Sequence, residues 1–155
     1  LMLIAAAWLL AGGPLGAAEM MEKQKNQSLY ERLGGVYPIA VVVDTFIDLL
    51  LVNDVLNANS KIADAMERVP EEGLKYRVTE LLCEVTGGPC AYTGLSMKET
   101  HDYLDISEEE WDAMMSDFVR VLNNYEIPEE EQKELIVIME STKMDIVKVA
   151  RKEMQ

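Results

Sequence analysis

Apolar residues return every three to four positions along most of the chain from Ser28 onward, the period of a helix with one buried face. The strongest such stripe is Trp111, Met114, Met115, Phe118, Val121, Leu122 and Tyr125. A second runs through Leu135, Ile138, Met139, Thr142, Ile146 and Val149, and a third through Leu74, Val78, Leu81, Leu82 and Val85. Ile39 to Val52 is apolar nearly all round, broken by Asp44, Thr45 and Asp48. Its β-branched residues allow a strand, but its length and the acidic pair on one helical face favour a buried helix. The stretch from Leu56 to Gly73 is the least patterned: Ile62, Ala65, Met66 and Val69 have helical spacing, and Pro70 closes it.

Stop and start signals divide these stripes. Ser28-Leu29-Tyr30-Glu31, Ser96-Met97-Lys98-Glu99 and Ser107-Glu108-Glu109-Glu110 each have the form of a capping box. In that motif the Ser accepts from a first-turn amide and the Glu reaches back to the cap. Gly34-Gly35 and Gly87-Gly88-Pro89 end helices, Asn53-Asp54 ends the second, and Pro38 and Pro128 suit first turns. The middle box opens a short helix carrying His101 and Leu104. No convincing strand, internal repeat or long linker is present. The expected class is all-α, and periodicity alone leaves helical bundles and globins equally open.

Composition narrows the class. At 155 residues the chain suits one domain, and 49% hydrophobic residues argue against disorder. Aromatics are scarce at 6% while Met numbers 10, so much of the core is aliphatic and thioether. A net charge of -14 disfavours nucleic acid, which needs a basic stripe. Leu1 to Ala18 carries no charge, and small residues Gly16 and Ala18 precede Glu19. This is the form of a secretory signal, although a basic n-region is missing. An uncleaved anchor is the alternative, but the apolar run is short for a span, so no stable membrane span is expected after cleavage. The expected organisation is therefore a signal over 1–18, a polar lead-in over 19–27 and one domain over 28–155, exported to a periplasm-like or extracellular compartment, or else membrane-anchored. Cys83 and Cys90 flank a Gly-Gly-Pro turn; a disulfide, or one buried and one exposed thiol, are equally open.

Particular residues carry a family resemblance. Ser28-Leu29-Tyr30-Glu31-Arg32-Leu33-Gly34-Gly35, then Val41-Val42-Val43-Asp44-Thr45-Phe46, resemble the N-terminal signature and second helix of truncated haemoglobins. Thr86-Gly87-Gly88-Pro89, Tyr92-Thr93-Gly94 and Ser96-Met97-Lys98-Glu99-Thr100-His101 resemble that family's glycine break and proximal segment. The likeness runs from Ser28 to Val149 and is closest to group 1. It implies a two-over-two helical sandwich holding haem b and reversibly binding a diatomic gas (oxygen, CO or NO), with a reductase as a further partner.

The chemistry needs an axial ligand, in globins a neutral imidazole. His101 is the only histidine. A lone histidine is more often structural, but this one falls at the family's ligand position, which makes it the expected iron ligand and excludes bis-histidine coordination within one chain. Phe46, Met97 and Leu81 are expected against the haem, with core filling the alternative for Met97. On the distal side the chain departs from the family: Ile47 stands where a Tyr is common and Val78 where a Gln is common. The family Phe after the second helix is replaced by what reads as Ser60, with extra residues following. Ile47, Leu74, Val78 and Leu82 would then form a dry pocket, unless they are ordinary core. Lys75 and Arg77 are candidates for the haem propionates or for solvated surface. Tyr92 would contact a propionate or pack under its loop, and packing is the preferred expectation. Tyr76 or Tyr103 could supply the missing donor, but nothing in the spacing requires it. Competing functions are nitric oxide dioxygenation or peroxidase-like turnover, exported electron transfer or haem delivery, and a haem-free helical interaction domain.

Overall fold

All three Ser-x-x-Glu segments close as capping boxes in the computed structural model, which describes residues 26–148. Glu31 Oε2 accepts from the Ser28 amide at 2.8 Å, Glu99 Oε2 from the Ser96 amide at 3.0 Å, and Glu110 Oε2 from the Ser107 amide at 2.7 Å. Among the described residues the chain forms eight helices: α1 (Leu29–Arg32), α2 (Val36–Leu51), α3 (Asp54–Asn57), α4 (Ser60–Arg68), α5 (Glu71–Val85), α6 (Met97–His101), α7 (Glu108–Asn124) and α8 (Glu129–Ile146). The signal-like stretch and most of the lead-in lie outside the described residues. The described residues form no strand, only one isolated bridge between Ile106 and Val147. None of their helices is long and apolar enough to cross a membrane.

The unpatterned region resolves into two short helices, each started by an asparagine. The Asn53 side chain accepts from the amides of Val55 (3.0 Å) and Leu56 (3.2 Å), and that of Asn59 accepts from Lys61 (3.0 Å). α5 begins two residues before Gly73, behind Pro70, so that glycine falls within the first turn. Leu104 lies just past α6, where its amide donates to His101 O at 3.0 Å.

The long helices pair in two layers, α2 with α5 and α7 with α8, with α2 also crossing α7 and α6 resting on α8. Their apolar stripes make two cores. The larger gathers Ile39, Val43, Phe46, Ile47, Leu82, Phe118 and Leu122. The smaller gathers Leu56, Ile62, Leu104, Ile106, Trp111 and Ile146. Phe46 meets Phe118 edge to face, ring centres 5.2 Å apart, a favourable quadrupole arrangement.

α1 packs on the turn that ends α5, which accounts for the Gly87-Gly88 pair. The Tyr30 amide donates to Thr86 O at 2.8 Å, and Gly87 adopts φ 87°. A Cβ on Gly88 would sit 2.6 Å from Cys83 O and collide with the Tyr30 ring, so only glycine fits. Cys83 and Cys90 are joined in a disulfide, Cα atoms 5.7 Å apart, stapling the end of α5 to the loop that leads into α6.

Candidate functional site

His101 is held by its own helix. The capping box fixes the start of α6, and one turn later His101 Nδ1 lies 2.8 Å from Met97 O. A carbonyl can only accept, so the bond places the ring proton on Nδ1 and leaves the Nε2 lone pair available. Nε2 has no hydrogen-bond partner among the described residues. Burial pushes the His101 pKa down, against the opposing effect of the Met97 carbonyl. The ring is thereby a neutral, oriented imidazole, the state a metal ligand requires. Asn59 Nδ2 donates to Leu104 O at 3.0 Å, tying α4 to the segment that follows.

The expected distal residues come together. Phe46, Ile47 and Leu82 are buried in the larger core, and Leu74 and Val78 lie half-buried against it. Met97 packs on the smaller core with Met66. Leu50, Met114 and Met115 touch both, so the seam between the two cores is apolar from each side. Leu81 is half-buried and belongs to neither core.

The polar candidates are engaged elsewhere. Lys75 Nζ is gripped by Asp44 (2.7 Å), Asp48 (2.6 Å) and Glu71 (2.6 Å), which locks α2 to α5 and holds its pKa far above the ordinary value. Arg77 pairs with Glu80 at 2.9 Å and also reaches Thr93 Oγ1. Tyr92 donates to Leu95 O at 2.9 Å, the packing role, beside a Gly94 whose Cβ would strike its ring. Tyr76 and Tyr103 are 61% and 52% exposed.

In the sequence, Trp111, Met114 and Met115 mark only a helical stripe. Trp111 is 1% exposed, and its Nε1 has no partner among the described residues. Its spacing from His101 carried no local signal of that setting.

These residues fit a haem. The one imidazole has Nδ1 held by Met97 O and Nε2 free, and the seam offers half-buried aliphatic and thioether side chains. His101 would hold the iron, and the seam would cover the faces of the ring. Two helical layers with two apolar cores and one oriented, neutral imidazole are the arrangement of a globin-class protein of the shortened, two-over-two kind. The bacterial-like globin family model matches residues 28–148, and the chain belongs to that family.

Relatives agree. The chain is 24% identical over 123 residues to a group 1 truncated hemoglobin of Tetrahymena pyriformis, covering 79% of this chain and 97% of that protein. It is 25% identical over 114 residues to one of Mycolicibacterium paratuberculosis, covering 74% and 79%. Among solved structures, a mutant of the Tetrahymena pyriformis truncated hemoglobin in its Fe(III) form matches with TM-score 0.67 and 22% identity, over 79% of this chain and all of that one. The 2/2 hemoglobin of Synechococcus sp. PCC 7002, in the cyanomet state with covalently attached heme, matches with TM-score 0.65 and 20% identity, over 78% and 98%. The fold is that of truncated hemoglobins.

Proposed function

We propose that this globin binds haem b through His101 and reversibly takes a diatomic gas in an apolar distal pocket. The observation that carries the reading is the His101 ring itself, oriented by Met97 O with its second nitrogen unpartnered. Bound oxygen carries partial negative charge, which a buried hydroxyl or amide stabilises and a hydrocarbon wall does not. Ile47 (2% exposed) and Leu82 (7% exposed) bring no donor to that wall, and Leu74 and Val78 bring none either. Oxygen would therefore be held weakly and carbon monoxide preferred. Weak oxygen retention also disfavours nitric oxide dioxygenation, which needs a lasting oxygen adduct.

Absorption spectra of ferric, ferrous and CO-bound protein, with His101→Gly alongside, test this. The wild type should show a Soret band that shifts with CO, and the variant should lose it or recover it only with added imidazole. Protein that stays colourless through a hemin titration would overturn the reading. Stopped-flow oxygen release should be fast; slow release would mean a donor reaches the ligand after all. The charge-free run from Leu1 to Ala18 and the Cys83–Cys90 disulfide support an exported location, which cell fractionation would check.

A further inference from the structure

Leu50, Met114 and Met115 are the side chains packed against both cores, and two of the three are thioethers. Successive α7 residues turn by about 100° (3.6 per turn), so Met114 and Met115 flank the buried line from Trp111 to Phe118 on opposite sides. Three residues beyond Met114, Asp117 accepts from Asn53 Nδ2 at 2.6 Å, just past the end of α2. That flank of α7 leans toward α2, the helix carrying Ile47 and Leu50. On the other flank, the side of Met115, Asn123 accepts from Gln132 of α8 at 3.2 Å. His101 comes from α6, which rests on α8. Met114 thus reaches the seam on the α2 flank of α7, and Met115 on the α8 flank, the helix on which α6 and His101 rest.

Other coordinating groups drop out. There is no second histidine. Both cysteines are in the disulfide, and Lys75 is held by three carboxylates. Met97 shares the helix of His101, and Met66 packs on the smaller core alone, not on both.

We infer that the Met114 thioether is the protein's own sixth ligand to ferrous haem iron. Sulfur of this kind is soft and suits ferrous iron, and a His/Met pair raises the reduction potential. The inference rests on the proposed haem attachment through His101. Its consequence is a gas site closed at rest: Met114 leaves before a gas enters, so the apolar pocket admits gas at a rate set by the protein.

The test uses the full chain reconstituted with hemin. Ferrous wild type should be six-coordinate and low-spin, and its CO binding rate should level off as CO is raised. Met114→Leu, close in volume and tolerable in packing, should give a five-coordinate high-spin ferrous spectrum. It should also shift the midpoint potential downward and make CO binding faster and linear in CO. Met144→Leu, at a side chain 95% exposed, should leave all three as in wild type. A five-coordinate ferrous wild type overturns the inference without any variant, as does a Met115→Leu protein that alone loses the low-spin state. A His101-dependent Soret band in that event would leave the haem reading standing, whereas no Soret band would remove both.

Discussion

His101 shows how one side chain's protonation is set by what surrounds it. Burial lowers its pKa from the ordinary 6.5, so the folded chain holds the neutral ring more readily than the unfolded chain does. Stability from this group is present above the unfolded pKa and is lost as pH falls from there through the folded value, because the unfolded state binds the extra proton first. Iron held on Nε2, as proposed, would add to the same direction, since a proton and the metal compete for one lone pair. Haem loss to an acceptor apoprotein should therefore be slow and flat above about pH 6.5 and accelerate as the solution is acidified below it. A rate that rises instead on the alkaline side would point to a group other than this imidazole.

At the scale of elements, the shortness of α6 makes its cap matter more than those of the long helices. Five residues give little propensity of their own, so the Ser96–Glu99 box and packing on α8 hold the turn that orients His101. Ser96→Ala and Ser107→Ala each remove a box and should each cost about 1 kcal/mol in urea unfolding. Only Ser96→Ala should also speed haem release, because α7 has further turns buried against both cores and α6 has none to spare. The same contrast explains what could be read from sequence. Capping boxes, glycine turns and the long stripes are local, and each formed where Ser28, Gly87 or Trp111 announced it. The α3 and α4 helices are started by Asn53 and Asn59, residues equally at home in loops, so their spacing gave only a blurred signal. The partners of Lys75 were out of reach for another reason: Asp44 and Asp48 were visible as one helical face, but only the crossing of α2 and α5 brings the lysine to them.

Taken whole, the molecule splits its apolar interior into two cores where a domain of this size would ordinarily build one, and the seam between them is what a flat apolar cofactor would cover. A seam of half-buried side chains is costly in its absence, so bound haem should raise the unfolding temperature by mass action. Charge works against compactness at this scale. The sequence carries 28 acidic residues against 14 basic, so each local ion pair sits in a field of surplus negative charge. Two effects of salt then compete. Screening weakens pairs such as Lys75 with its three carboxylates, but it also relieves repulsion spread over the surface, and exposed pairs are individually worth little. Raising ionic strength from about 0.01 M to about 0.15 M shortens the screening length from about 30 to about 8 Å, which removes repulsion between distant acids while leaving contacts under 3 Å largely intact. The unfolding temperature should therefore rise over that range in thermal melts followed by circular dichroism. A Lys75→Met variant should gain more from salt than the wild type, because Asp44, Asp48 and Glu71 then join the repelling set; an equal or smaller gain would mean the lysine does not offset them.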